Sequence, residues 1–299
     1  MSINPRTHPM ASDPMVGDNF RFGYRFQRHW DMAMASAFFF GELGGGLALV
    51  SLAVDSLPGL MLGLIAAGVI KPAFHLAHMG VPGRSWRAIL RPDRSWISRG
   101  LIAIMVLVGA GSGYAFTLMG GLALPFGTAL KWLAMAAALV VMTYHGFSMS
   151  QSTAIGLWST AMTPALSYLY ALTGGVGVVC ILPGAEMITL PGITLPAALQ
   201  VILAVTSLMV LGFIYAAHRG SPGARLSAQL LTKTHYARPF WGGVIAVGLV
   251  VPILLLWIGV GEVMHTAAVG AVLAGFFMFR ALVFKAGVYE PVLPFTPPV

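Results

Sequence analysis

Apolar residues run along this chain in eight long stretches separated by short polar breaks, at 30–54, 57–79, 99–121, 125–147, 157–182, 195–217, 240–261 and 265–284. Each is close to the roughly twenty residues that an α-helix needs to cross a bilayer. Helix is required there, because lipid offers backbone N–H and C=O groups no partner outside the segment. A membrane β-barrel would instead alternate polar and apolar positions over segments of about ten residues, and no such alternation is present. The pattern predicts an all-α integral membrane protein with eight transmembrane helices, an even number that brings both termini to one side. Gly-x-Gly runs such as Gly111 to Gly113 lie inside the apolar stretches, where they read as close helix packing rather than phosphate-binding loops.

Composition agrees with that reading. Of 299 residues, 58% are hydrophobic and 9% charged, whereas a water-soluble domain carries about a quarter charged. The single Cys180 excludes a disulfide framework, a CxxC zinc site and iron–sulfur clusters held by this chain alone. Residues 1–28 are polar and have no apolar core, so they form neither a secretory nor a twin-arginine signal.

The net charge of +8 would suggest nucleic acid only if the basic residues shared a soluble face, and they do not. They gather instead on the side that holds both termini, here termed the terminus side. Arg6, Arg21, Arg25 and Arg28 precede the first span, and Arg84, Arg87, Arg91, Arg94 and Arg99 follow the second. Arg219, Arg225, Lys233 and Arg238 follow the sixth, while Lys71, Arg280 and Lys285 lie in the nearer halves of their helices. Only Lys131 faces the other way. The positive-inside rule makes the terminus side cytoplasmic. The opposite side carries Asp55, Glu186 and Glu262 in short loops and no sizeable domain, so any chemistry lies within the bundle or on a partner.

Glu42 stands near the middle of the first span, flanked by Gly41 and by Gly44 to Gly46. An acid at that depth must face protein or water. It serves either as a proton relay or as a protonated group hydrogen-bonded to backbone in a glycine-packed interface. Asp31 sits at the interface beside Trp30, within reach of the nearby arginines as structural partners. Of the eight histidines, His8, His29, His75, His78, His145, His218 and His235 fall on the terminus side and His265 on the other. Haem b needs two facing ligands, and the available depth pairs only His75 or His78 with His145 near the surface. No haem and no protein-bound metal is expected.

The loop after the second span reads His78-Met79-Gly80-Val81-Pro82-Gly83-Arg84-Ser85-Trp86-Arg87-Ala88, followed by Arg94-Ser95-Trp96-Ile97-Ser98-Arg99. This resembles the HLGxPxRxWRA and SWxSRE signatures of the membrane anchors of polysulfide and dimethyl-sulfoxide reductases, the NrfD/PsrC/DmsC family. A second block agrees: Tyr144-His145-Gly146, then Gly156-Leu157-Trp158-Ser159 and Pro164 opening the fifth span, with Gly174 beyond. Two positions depart from the family pattern, Ser159 standing for its Asn and Gly100 for its Glu. About fifty residues carry the likeness as motif.

The resemblance implies a quinone-reactive membrane anchor subunit of a molybdenum or tungsten oxidoreductase complex. Such a chain passes electrons between a docked ferredoxin-like iron–sulfur subunit and membrane quinone, menaquinone or ubiquinone, while iron–sulfur clusters and molybdopterin or tungstopterin stay in the partner subunits. It further implies two four-helix bundles: a segment 1–29, a quinone-reactive bundle 30–147, a second bundle 148–288 and a tail 289–299. Carried over by position, Tyr144 and His29 become the catalytic pair, with Asp31 and His78 beside them at the quinone and Glu42 as proton relay. Arg84, Trp86, Arg87, Arg94, Trp96 and Arg99 become the partner-docking surface.

Relatives of this kind dock their partners outside the cytoplasm, whereas the charge asymmetry here puts the docking loop inside a bacterial or archaeal inner membrane. A cytoplasmic substrate follows, and the run Gln27 to Asp31 is similar to the membrane subunit of phenylacetyl-CoA:acceptor oxidoreductases. Two other functions stay open: a polytopic secondary transporter, which helices interrupted by Gly and Pro and the mid-membrane Glu42 would suit, and a purely structural anchor.

Overall fold

The computed structural model describes residues 23–121, 125–185, 188, 192–259 and 261–290. Arg6, Arg21, His8 and Glu186 lie outside the described residues. Among the described residues, eight helices are long and apolar enough to cross a membrane. They are α1 (Met32–Ala53), α2 (Leu57–His78), α3 (Trp96–Leu118), α4 (Phe126–Ser150), α5 (Met162–Cys180), α6 (Leu195–Arg219), α8 (Pro239–Ile258) and α9 (Glu262–Lys285). A short helix, α7 (Pro222–Thr232), lies between α6 and α8. The helix starts follow local chemistry. Asp31, Ser56, Ser95, Thr194 and Ser221 each accept a hydrogen bond from a backbone N–H of the first turn of α1, α2, α3, α6 and α7.

Two helices widen into π turns, at Ala66–Ile70 in α2 and Pro239–Val250 in α8. Each wide stretch ends just before a proline, Pro72 and Pro252. A proline inside a helix removes one N–H donor and crowds the carbonyl four residues back, and a wider turn accommodates both.

Two clusters of buried apolar side chains form the interior, and α1 contributes to both. Ala48 and Leu52 of α1 pack with α2, α3 and α4, whereas Phe38, Phe39, Leu43 and Leu47 pack with α5, α6, α8 and α9. The two clusters therefore share one central helix. Gly44, Gly45 and Gly46 make that possible. Successive helical residues point about 100° apart, so these three face three neighbours: Ala67 and Gly63 of α2, Val141 and Met142 of α4, and Ala171 of α5. A Cβ on Gly46 would run into the Ala171 carbonyl.

At one end of the helices, strand β1 (Arg25–Phe26) pairs antiparallel with strand β2 (Val288–Tyr289), with Arg25 opposite Tyr289 and Phe26 opposite Val288. The segments flanking the first and last spans thus meet at one end, as an even number of crossings requires. The Gln27 amide donates to the Phe284 carbonyl at 3.1 Å, and Trp158 Nε1 donates to the Val283 carbonyl at 3.0 Å.

The structure corrects two boundaries. The fifth span starts at Met162, because residues 152–161 form turns that carry Trp158 inward to stack on Trp30 at 4.8 Å. The segment after the sixth span is helical in part: Ser221 caps α7 and Pro222 occupies its first turn.

Candidate functional site

At the terminus-side end, the start of α1 meets the end of α2. Asp31 caps α1 by accepting from the Met34 N–H at 3.1 Å, and its Oδ1 lies 3.1 Å from His78 Nδ1. Among the described residues the partner of Asp31 is therefore His78 and not an arginine. Burial alone would raise the Asp31 carboxyl, but the Met34 N–H and the His78 ring together outweigh it and hold the group below its ordinary value. His29 is exposed, and no hydrogen bond or ring contact joins it to Asp31, His78 or Tyr144.

About three helical turns deeper along α1, a second set converges. Glu42 is fully enclosed, and its Oε2 accepts from Arg280 Nε of α9 at 2.7 Å. Arg280 also donates through Nη2 to Ser167 Oγ of α5 at 2.8 Å, and its Nη1 points to Met149 Sδ of α4 at 4.0 Å. One guanidinium thus ties α9 to α1, α4 and α5. The partner of Glu42 is an arginine rather than the neighbouring backbone, which places a carboxylate–guanidinium pair inside the bundle.

On the other side of Glu42 stand His145 and Tyr144 of α4 and Lys71 of α2. His145 Nδ1 is 4.0 Å from Glu42 Oε1, and the ring packs against Phe38 and Tyr144 with centroids 4.4 and 3.8 Å away. Gly41 creates this space. A Cβ there would meet His145 Nε2 at 3.0 Å and Lys71 Cγ at 3.1 Å. Lys71 is 2% exposed, and its Nζ lies 5.5 Å from the centre of the Tyr144 ring, with no hydrogen bond or ion pair to any described residue. Gly100 supports the same spot from α3, because any Cβ at that position would overlap the Tyr144 ring. A glutamate at position 100 is therefore incompatible with Tyr144 where it stands.

Several polar atoms in and beside this layer have no hydrogen-bond partner: Glu42 Oε1, both ring nitrogens of His145, His75 Nδ1 and the Tyr170 hydroxyl. Buried polar groups are normally satisfied, so a concentration of unsatisfied ones marks a place built for something beyond packing. Donors and acceptors face one another here across α1, α2, α4 and α9, with aromatic rings between them.

Of the residues read from sequence, the structure joins Asp31 with His78 and places Glu42 in one layer with Tyr144, while leaving His29 outside. His145 is buried at 1% exposure rather than near the surface. Lys71, His145, Arg280, Ser167 and His75 were not singled out as site residues. The available signals were an arginine and a lysine within apolar spans, which require partners, and the spacing of 71, 75 and 78, which puts three ionisable groups on one face.

The residues expected from sequence to dock a partner divide in two. Trp86 is 60% exposed, and Arg84, Arg87 and Arg94 are exposed with it, Arg94 pairing with Asp93 at 3.1 Å. Trp96 and Arg99 instead hold the loop: Trp96 stacks on Phe147 at 4.2 Å, and Arg99 lies over Trp96 and donates to the Pro92 and Asp93 carbonyls. No protein-family model and no curated protein matches the chain.

Proposed function

We propose that this chain is the membrane subunit of a redox complex and exchanges electrons with quinone at the buried layer around Tyr144. The observation that carries the reading is the set of enclosed, unpaired polar atoms on Glu42 and His145 beside the unpaired Lys71. The donor chemistry of those residues suits a quinone. A quinone head is a flat ring with two carbonyl acceptors, and the layer offers an ammonium, an imidazole and a phenol as donors next to aromatic faces. When bound, quinone supplies a two-electron, two-proton acceptor.

The protein's own groups have separable tasks. Tyr144 and His145 present donors on one helix, fixed by the absence of a side chain at Gly100 and Gly41. Lys71 places a positive charge where negative charge would develop. Arg280 holds Glu42 in position and neutralises it, leaving Oε1 free to accept a proton. The exposed arginines and Trp86 suit an acidic iron–sulfur partner, and the molybdopterin or tungstopterin centre would lie beyond it. The terminus side is cytoplasmic in this reading, and so is the substrate of the complex.

Tyr144→Phe tests the proposal in native membranes. The phenol donates no hydrogen bond to any described residue, so assembly and electron transfer to a soluble dye persist while electron transfer to quinone slows by about 100-fold or more. Unchanged quinone-linked turnover would move the site elsewhere and leave only the anchor role. The wide turns before Pro72 and Pro252 favour the transporter alternative. That alternative predicts solute uptake by vesicles carrying this chain alone.

A further inference from the structure

Lys71, His75 and His78 are spaced four and three apart on α2, so they line one face of the helix. Burial is greater at the inner groups than at the outer ones. The Asp31 side chain is 57% exposed and that of His78 21%; Lys71 is 2% exposed, His145 1% and Glu42 0%. The outer two are joined at 3.1 Å. The inner groups meet at Gly41, where His145 and Lys71 both pack against the α1 backbone. The charged and titratable groups facing His145 are Glu42 of α1, 4.0 Å from its Nδ1, Lys71 and His75 of α2, and Arg280 of α9. Three of the inner stations also have an atom with no hydrogen-bond partner among the described residues: His75 Nδ1, the two His145 nitrogens and Glu42 Oε1.

The other half of the bundle is different. Between Glu42 and Asp55, α1 holds no ionisable residue, and neither does α2 from Leu57 to Ile70. In α4 none lies between Lys131 and Tyr144, and in α9 none between His265 and Arg280. In α5 the groups beyond Ser167 are Tyr168, Tyr170, which is stacked on Phe276, and Cys180; at the far end Tyr114 and Lys131 each donate to Asp55 at 2.6 Å.

We propose that the chain contains a proton half-channel, running from Asp31 and His78 through His75 to Lys71, His145 and Glu42, open to terminus-side water and closed toward the other face. Each hop between nitrogens breaks one N–H bond and makes another, and the last breaks an N–H bond of His145 and makes an O–H bond on Glu42 Oε1. A protonated His78 passes its proton to the free nitrogen of His75, keeps the electron pair, and is reprotonated from water beside Asp31. Neighbours three or four apart on a helix have Cβ atoms about 5–6 Å apart, a gap that one hydrogen-bonded water spans. The inference rests on the preceding reading only for where the protons are consumed; the path itself requires neither quinone nor partner.

The test uses the full chain in phospholipid vesicles with ¹⁵N-labelled histidine, without quinone or partner subunits. Solid-state NMR measures transfer from water protons to the His145 ring, the signal being assigned by its loss in His145→Gln. Transfer is present in the wild type and lost in both His75→Phe and His75→Gln. A pH dye trapped in the same vesicles reports no more proton flux under an imposed potential than protein-free vesicles show. Transfer that survives both His75 substitutions overturns the route, and loss in His75→Phe alone shows that packing was responsible. Flux above the protein-free level overturns the closed far half. None of these outcomes depends on Tyr144, so the quinone reading stands or falls separately.

Discussion

Two acid–base pairs of nearly equal length tie this bundle together in different surroundings. Glu42 and Arg280 are 2.7 Å apart with side chains 0% and 1% exposed, whereas Asp55 and Lys131 are 2.6 Å apart at the rim, with Asp55 50% exposed. The rim pair keeps water on one side and shares Asp55 with the Tyr114 hydroxyl. Pairs of that kind contribute about 0–1 kcal/mol. The interior pair has lost its water, which costs several kcal/mol per ion, and a well-packed apolar pair of similar volume often serves stability as well or better. A buried pair with a free carboxylate oxygen, next to an uncompensated lysine, is therefore poorly explained by stability. It fits a place where charge and protons are handled.

The comparison predicts a graded series of stabilities, read as thermal unfolding of the purified chain in detergent. Arg280→Ala strands Glu42 and costs the most, about 3–5 kcal/mol, whereas replacing both Glu42 and Arg280 with Leu recovers most of that loss. If Arg280→Ala costs no more than Lys131→Ala, the contrast between the two pairs is wrong. Gly46→Ala comes next, at about 1–3 kcal/mol, since its Cβ meets the Ala171 carbonyl where α1 crosses α5.

Asp31→Ala removes the α1 cap and costs about 1 kcal/mol at neutral pH. Its sign with pH is fixed. The folded Asp31 carboxyl is held below its ordinary value, so its contribution is complete above the unfolded-state pKa and disappears as pH falls through the lower folded one. Wild type and Asp31→Ala therefore converge in acid. Lys131→Ala has the smallest effect, at most about 1 kcal/mol.

The eight spans were legible because a run of apolar residues of bilayer length is a strong local signal, and the observed ends fall within five residues of the predicted ones. The turns at 152–161 were not, since nothing local says that Trp158 turns inward to Trp30 and Val283. Glu42 was legible as an isolated acid among glycines. Its partner was not, because Arg280 lies 238 residues away and no pattern along the chain encodes which helices meet. Lys71 and Arg280 were read for what their charges imply about sidedness, and that hid their role as interior groups. Tyr144 and Glu42 fall in the layer that the structure assembles, whereas His29 was grouped with them only by its place before the first span.

Lys71→Met in native membranes tests most directly whether the buried layer is a reaction site. Methionine fills a similar length of chain without charge, and an unpaired buried ammonium is costly, so unfolding temperature and dye-linked electron transfer stay level or rise. Quinone-linked turnover is lost. A variant that keeps full quinone-linked turnover at unchanged stability would contradict the account, because the layer around Glu42, Tyr144 and His145 would then be packing alone.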